Sequence, residues 1–368
     1  MMRLLLSLLL LLSFLQMNAQ TYPKVILPGD YPDPSIMRDG KDYYMTHSPF
    51  YYAPGFLIWH SQDLMNWEPL CRVMPQYEGS AMAPDLLKYK DTYYIYYPAA
   101  GTNWVMWAKN IRGPWSRPVD LKVGGIDPGH VVDKEGNRYL YLDKGEMIRL
   151  TEDGLATVGE KKKVYDGWKY PDHWDTECMC LESPKLNEHN GYYYLTSAQG
   201  GTAGHATSHM VVSARSKSVI GPWENSPYNP IVHTYSVTDS WWSKGHGTLI
   251  DDVNGNWWIV YHAYANDYHT LGRSTLIEPV EWTEDGWYRT VSAATPVTPE
   301  QEGPQLGLQW TFWKEYAPQS LTFKEDILWM KAKGRTPADG RVLLTTAEDK
   351  NYETQVEIRT GNGNVAGL

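Results

Sequence analysis

Three acidic residues lie beside prolines at points where the chain enters an aromatic strand. They are Asp33 in Asp33-Pro34, Asp127 in Asp127-Pro128 and Glu182 in Glu182-Ser183-Pro184. Two carboxyl groups that flank a bond suit glycosidic cleavage, because a protonated one donates to the leaving oxygen while an ionised one activates water. A third carboxylate nearby raises the pKa of the acid by its negative charge. A single Asp-Pro usually marks a turn, but three related clusters are a stronger signal.

The three acids belong to a unit that occurs five times. Each unit starts with a Pro- or Gly-bearing cluster and runs into a strand centred on Tyr44, Tyr94, Tyr139, Tyr193 or Trp258, at intervals of 50, 45, 54 and 65 residues. Such intervals are typical of propeller blades with four strands each. The sequence therefore predicts an all-β fold with a five-bladed propeller over residues 20–300. Its axis would bring Asp33, Asp127 and Glu182 together.

Composition narrows the classes of partner. The 368 residues carry a net charge of -10, which argues against nucleic-acid binding, since that requires a basic surface. Aromatic residues comprise 27 Tyr and 17 Trp but 5 Phe, a choice that suits strands and also stacking on sugars. Cys178 and Cys180 point the same way in a regular strand, so we expect packed thiols rather than a bridge between them.

The ends of the chain suggest processing and a second domain. Arg3 followed by an apolar stretch, with Ala19 before Gln20, predicts a signal peptide over residues 1–19 and a periplasmic or secreted protein. That stretch is too short to cross a bilayer, and we expect no membrane span. Residues 295–304 are rich in Pro, Glu and Thr and resemble a linker. Residues 305–368 predict the start of a further β domain, which we expect to be truncated.

The ordered motifs resemble family 43 of the glycoside hydrolases. The resemblance spans about residues 25 to 290 and rests on these pieces: Tyr31-Pro32-Asp33-Pro34, Ser61 to Trp67, Ala83-Pro84-Asp85, Ile126-Asp127-Pro128, Glu182-Ser183-Pro184, Gly245-His246-Gly247 and Leu271-Gly272-Arg273. Members of this family are five-bladed propeller enzymes that act on glycans containing arabinose or xylose. The segment after residue 305 resembles the start of the β-sandwich that follows the propeller in many of them.

The resemblance implies roles for the three acids. Asp33 would be the general base, Glu182 the general acid, and Asp127 the residue that tunes the pKa of Glu182 and orients it. The family inverts the anomeric centre, which requires space for water between base and sugar. We therefore expect the carboxyls of Asp33 and Glu182 to be about 6.5–9.5 Å apart.

Further positions are implied to bind substrate. Arg273 would reach the innermost sugar and His246 would lie near the axis, with a structural calcium ion as one option and no required cofactor. Asp85 is a further candidate contact. Met82 stands where many members carry a Trp wall, so Trp104, Trp241 or Trp242 could supply the stacking face instead.

These expectations leave several functions open. The leading one is a secreted inverting exo-glycosidase that releases α-L-arabinofuranosyl or β-D-xylosyl units from plant cell-wall glycans. An endo-acting arabinanase would need an open groove rather than a pocket, and the sequence does not reveal that shape. A non-catalytic glycan-binding propeller would keep the aromatics and lose the acids, whereas all three acids are present.

Overall fold

The structure is a computed structural model that describes residues 22–76, 79–291, 307–324, 327–336, 338–347, 349–351, 354, 356–360 and 366–367. The predicted signal peptide (1–19) and the predicted linker (295–304) lie outside these residues. Among the described residues, no helix is long and apolar enough to cross a membrane.

Almost every regular element in the described part of the chain is a strand. The same residues include three short 3-10 helices, at Asp143–Gly145, His269–Leu271 and Pro318–Ser320. The strands in chain order are β1 (Lys24–Leu27), β2 (Ser35–Asp39), β3 (Asp42–Thr46), β4 (Tyr52–Ala53), β5 (Gly55–Ser61), β6 (Glu68–Met74), β7 (Asp85–Tyr89), β8 (Thr92–Ala99), β9 (Thr102–Ala108), β10 (Val119–Asp120), β11 (Gly129–Val132), β12 (Arg138–Tyr141), β13 (Glu146–Leu150), β14 (Thr157–Lys163), β15 (Cys178–His189), β16 (Tyr192–Gly200), β17 (Met210–Ser216), β18 (Glu224–Asn225), β19 (Val232–His233), β20 (Trp241–Asp251), β21 (Trp257–Ala265), β22 (Arg273–Trp282), β23 (Tyr288–Thr290), β24 (Thr311–Trp313), β25 (Leu321–Lys324), β26 (Ile327–Met330) and β27 (Leu343–Leu344). The prediction of an all-β chain is confirmed.

Five antiparallel sheets follow one another along the chain. The first has the strand order β2-β3-β5-β6, the second β7-β8-β9-β10, and the third β11-β12-β13-β14. The fourth is β15-β16-β17-β18 with β19 paired to β17, and the fifth is β20-β21-β22-β1 with β23 paired to β22. The first strand of each sheet therefore overlaps one of the five sequence clusters.

The fifth sheet joins the two ends of this region. Strand β1 pairs with β22, so Lys24 lies opposite Ile277. A sheet made from both ends of a chain segment ties them together, because separating them would break a row of backbone hydrogen bonds.

The first strands of consecutive sheets are also connected in a closed series. The connecting hydrogen bonds are Leu86 N to Ser35 Oγ (2.9 Å), His130 N to Asp85 Oδ2 (2.7 Å), Ser183 N to Asp127 Oδ2 (3.1 Å), Asn187 Nδ2 to Leu249 O (3.3 Å) and Thr248 Oγ1 to Pro34 O (3.0 Å). The series passes from the first sheet through the fifth and back to the first. The parts of the five first strands at and next to the sequence clusters are consequently held close to one another.

An apolar cluster fills each junction between consecutive sheets. Successive side chains of a strand point to opposite faces, and the second strands use both: Ile259 and Tyr261 pack toward the fourth sheet, while Val260 packs toward the first. Strand β8 does the same, with Ile95 facing the first sheet and Tyr96 the third. Strands buried on both faces explain why the sequence shows continuous Tyr- and Trp-rich runs rather than polar alternation.

Glycine is required where the third sheet meets the fourth. A Cβ atom on Gly129 would lie 1.7 Å from the carbonyl oxygen of Pro184. We expect Gly129→Ala to lower the free energy of unfolding by about 1–3 kcal/mol, since the backbone must move to admit the methyl group. Urea unfolding followed by tryptophan fluorescence measures this change. Gly124→Ala is the matched control, because its nearest neighbour would be 3.6 Å away, and equal stability of the two variants would contradict the expectation.

The described C-terminal residues pack against the first sheet. Strand β24 pairs with β4 and β27, placing Phe312 opposite Ala53, and the Arg72 guanidinium donates to Leu308 O. Strands β25 and β26 form a separate hairpin. These elements agree with a further β segment after residue 305, while its completion into a β-sandwich stays a prediction.

The expectation of unpaired thiols at Cys178 and Cys180 is wrong. The two form a disulfide with Cα atoms 5.2 Å apart. The expectation assumed a regular strand, but β15 changes register between Cys178 and Glu182, and Cys180 has a left-handed backbone with φ 36°. This irregularity removes the simple alternation on which the expectation was based. Cys71 is a free, half-buried cysteine.

Candidate active site

The five sequence clusters share an unusual backbone conformation. A left-handed φ is uncommon for any residue other than glycine and costs energy that the surroundings must offset. Within the five sequence clusters, one residue per sheet has this backbone conformation: Asp33 (58°), Ala83 (36°), Asp127 (55°), Ser183 (53°) and His246 (56°). Asp33 and Asp127 therefore occupy equivalent places, whereas Glu182 lies one residue earlier, in the place that Met82 holds in the second sheet.

Asp33 is a buried carboxylate surrounded by donors. The Arg273 Nη1 atom lies 2.9 Å from its Oδ1, and the Ser48 hydroxyl donates to its Oδ2. Burial alone would raise the pKa of Asp33, but the positive charge of Arg273 holds this pKa well below its usual range. Asp33 is consequently ionised even in acidic solution.

Two buried histidines border the same carboxylate. His246 Nδ1 lies 3.5 Å from Asp33 Oδ1 and 3.8 Å from Asp127 Oδ2, so this ring lies between the two acids. His262 accepts a hydrogen bond at Nδ1 from the Asp33 backbone N–H (3.0 Å), which requires a neutral ring. Burial lowers the pKa of both histidines, so both stay uncharged near neutral pH.

The pKa values of Asp127 and Glu182 are raised, whereas that of Asp33 is lowered. Burial raises the pKa of Asp127, and the negative charge of Asp33 raises it further. Burial likewise raises the pKa of Glu182, with the charges of Asp127 and Asp33 adding to the effect. The hydrogen bond from Ser183 N to Asp127 Oδ2 (3.1 Å) fixes Asp127 next to the backbone of Glu182. Glu182 is therefore protonated under conditions in which Asp33 is ionised.

A protonated carboxyl and an ionised carboxylate in one site can act together on an acetal. The protonated group supplies a proton to a departing oxygen, and the ionised one accepts a proton from water. A protein assigns these two tasks to chemically similar side chains by giving each carboxyl group a different environment, so that the two pKa values move apart.

The sequence model of glycosyl hydrolases family 43 matches residues 22–288, which covers the first four sheets, nearly all of the fifth and the three acids. The chain belongs to family 43 of the glycosyl hydrolases. Among curated family members, a xylan 1,3-beta-xylosidase from a Vibrio species is 32% identical over 337 residues, which is 78% of this chain and 60% of that protein. A non-reducing-end alpha-L-arabinofuranosidase from Bacteroides ovatus is 30% identical, over 85% of this chain and 65% of its own length. The chain thus spans less than two thirds of the length of these two relatives.

Solved family 43 structures have the same fold. The GH43 protein BlXynB from Bacillus licheniformis superposes with a TM-score of 0.77 at 29% identity, covering 90% of this chain and 72% of that one. A xylan beta-1,4-xylosidase from Bacillus halodurans superposes with a TM-score of 0.75 at 30% identity, with the same coverage. Both superpositions extend past residue 288.

Asp85 is placed differently from the three acids. Its buried carboxylate forms an ion pair with Lys185 Nζ (2.8 Å) and accepts the His130 N–H. Lys185 also donates to Pro84 O and Pro128 O, which belong to the second and third sheets. Asp85 therefore contributes to the links between sheets, and a contact with substrate stays a prediction.

The aromatic candidates lie at the junctions between sheets. Trp104 is half-buried against the cluster between the first and second sheets, and its Nε1 donates to Ala99 O. Trp241 packs against the cluster between the fourth and fifth sheets. Half-buried Met82 directly precedes the left-handed Ala83. Substrate contacts by these three residues, and by Trp242, stay predictions.

Sequence reasoning missed several residues of this site. Ser48 and His262 contact Asp33, and Phe50 lies with its ring centroid 5.8 Å from the Arg273 guanidinium. Ser48 and Phe50 follow the second strand β3, and His262 lies in the second strand β21. Second strands run antiparallel to the first strands, so their C-terminal parts lie beside the clusters that carry the acids. Polar residues at the ends of the aromatic strands were the signal that could have revealed them.

A calcium site near His246 is poorly supported by the donors present. Asp33, His246 and His262 place donor atoms within 4.8 Å of one another. Calcium takes about six to eight oxygen ligands, whereas this group offers one carboxylate and two imidazoles. Arg273 already binds the same Asp33 oxygen. These residues do not fit calcium at this point, and the calcium prediction stays untested.

Proposed function

We propose that this protein is an inverting exo-glycosidase that releases xylosyl or arabinofuranosyl units from xylan- or arabinan-type glycans. The observation that carries the proposal is the contrast between Asp33, whose pKa is lowered, and Glu182, whose pKa is raised. The xylosidase and arabinofuranosidase names of the relatives support the choice of sugars. We further propose that the five sheets are the blades of a five-bladed propeller, followed by part of a β-sandwich.

The mechanism assigns one task to each acid. Asp33 accepts a proton from a water molecule that attacks the anomeric carbon, and Glu182 donates its proton to the departing glycosidic oxygen. Arg273 and Ser48 hold Asp33 in position and keep it ionised. Asp127 keeps the pKa of Glu182 high through its negative charge. We also propose that removal of residues 1–19 delivers the protein to the periplasm or the medium.

Hydrolysis of nitrophenyl β-D-xyloside and nitrophenyl α-L-arabinofuranoside tests the activity, and proton NMR of the first-formed sugar tests the stereochemistry. Inversion predicts α-xylose as the initial product of the β-xyloside. Glycan binding without cleavage of either substrate would instead favour a non-catalytic protein. Release of internal fragments from arabinan would favour endo cleavage.

The pH profile of kcat/KM tests the role of Asp127. Activity requires an ionised Asp33 and a protonated Glu182. The fall of kcat/KM at high pH, the alkaline limb of the profile, therefore reports deprotonation of Glu182. Asp127→Asn removes a neighbouring negative charge, so we expect the pKa of Glu182 to fall and the alkaline limb to move to lower pH by roughly one unit or more. Asp172→Asn, in an exposed turn, is the control. An unchanged limb in Asp127→Asn would show that Asp127 does not tune Glu182.

A further inference from the structure

A stack of aromatic side chains lies on the fourth sheet beyond Glu182. The Trp174 and His233 rings are parallel within 4° with centroids 4.5 Å apart, and Tyr170 stacks on Trp174 at 6.4 Å and 15°. Tyr235 meets His233 edge to face, at 4.8 Å and 87°. We call Tyr170, Trp174, His233 and Tyr235 the rim stack.

The rim stack presents apolar surface to solvent. Tyr235 is 69% exposed, the largest value among the large hydrophobic residues that the structure describes. Nearby Val237 and Met179 are 63% and 41% exposed. Core packing does not explain why the exposed Tyr235 side chain is held in place by contact with the His233 ring. An exposed, fixed aromatic group of this kind is a typical binding surface.

The loop that carries Trp168, Tyr170 and Trp174 is fixed to the strand of the catalytic acid. The buried amide of Gln199 accepts a hydrogen bond from Trp168 N (2.7 Å) and donates to Trp168 O (2.9 Å). The Tyr170 hydroxyl donates to Cys178 O (3.3 Å), on the same strand as Glu182. The rim stack is thus held in a defined position relative to Glu182 before any ligand binds.

Strand register gives the separation between the stack and the acid. Glu182 lies opposite Ala198, Ala198 opposite Val211, and Val211 opposite Val232, which directly precedes His233. Three steps between neighbouring strands correspond to roughly 14 Å. A short oligosaccharide spans this distance.

We propose that the rim stack binds the leaving-group side of a glycan chain. The assignment rests on the proposed function: Glu182 protonates the leaving oxygen, and the stack lies on the same sheet as Glu182, three strands away. Tyr and Trp combine a flat apolar face, which packs on the C–H face of a sugar ring, with a polar group that can hydrogen-bond its hydroxyls. The substrate of this site is therefore a chain of several sugars rather than a disaccharide.

Kinetics on short and long substrates tests this proposal. Tyr235→Ala should raise KM and lower kcat/KM for xylohexaose or linear arabinohexaose about tenfold, as expected for one lost stacking contact. It should leave hydrolysis of the nitrophenyl glycosides unchanged, because these substrates do not reach the stack. Trp329→Ala is the control, since Trp329 is 58% exposed on the β25–β26 hairpin. Unaltered kinetics on both hexasaccharides, or an equal loss on nitrophenyl glycosides, would overturn the proposal.

Binding measurements separate this proposal from the proposed function. Isothermal titration with xylohexaose and with arabinohexaose is carried out on the full chain with Asp33→Asn, alone and combined with Tyr235→Ala. About tenfold weaker binding of either sugar in the double variant supports the rim stack even if wild-type protein hydrolyses nothing. Equal affinities in the two proteins, or no binding of either hexasaccharide, would overturn it whatever the activity.

Discussion

Asp33→Asn is expected to lower kcat/KM by roughly 10²–10⁴-fold for every substrate, the range attributed to a general base. The loss should not depend on the leaving group, because water activation is needed whichever group departs. The Asn side chain has nearly the same shape and keeps one oxygen that can accept from Arg273, while its amide N–H can donate to the Ser48 hydroxyl. Initial rates on nitrophenyl glycosides and xylobiose measure the effect.

The control for this variant is Asp91→Asn, which neutralises an exposed acid in the turn between β7 and β8. It should retain wild-type rates. Thermal unfolding of both variants shows whether either change disturbs the fold. Near-full activity in Asp33→Asn would remove Asp33 from the role of base.

Glu182→Gln is expected to have an effect that depends on the leaving group. Gln cannot donate the proton, so poor leaving groups such as the sugar of xylobiose should react roughly 10²–10⁴-fold more slowly. Dinitrophenyl glycosides depart without protonation, and their hydrolysis should be far less affected. The slope of log kcat/KM against the pKa of the leaving phenol measures this directly.

The matched control for Glu182→Gln is Glu188→Gln, an exposed residue on the same strand β15. It should leave the slope against leaving-group pKa at the wild-type value. Equal rate losses in Glu182→Gln for dinitrophenyl and sugar leaving groups would assign proton donation to another residue.

The order of the strands could be predicted from the sequence because its cause is local. Tyr- and Trp-rich runs such as Tyr192-Tyr193-Tyr194 favour strands, and Pro and Gly clusters separate them. Repetition of the unit then placed Asp33 and Asp127 at equivalent positions, and the structure gives both the same left-handed backbone. Family membership, inferred from the motif order, is confirmed by the match over residues 22–288.

The parts that could not be predicted depend on register and on contacts between distant residues. His262, in strand β21 of the fifth sheet, touches Asp33 at the first sheet, a contact across 229 residues of sequence. The Cys178–Cys180 disulfide depends on an irregularity in β15 that no local pattern signals. The rim stack joins residues from two separate loops, and single aromatic residues in loops give no indication of their partners.

The ionisation of Glu182 is the most direct test of the central claim that one site holds a protonated acid and an ionised base. Carbon-13 NMR of protein labelled at the Glu side-chain carboxyls follows each titration, and the signal missing from Glu182→Gln identifies Glu182. We predict that this carboxyl is still protonated at pH 7, well above its ordinary pKa of 4.5. A Glu182 signal that titrates near 4.5 would leave the site without a proton donor and would contradict the account.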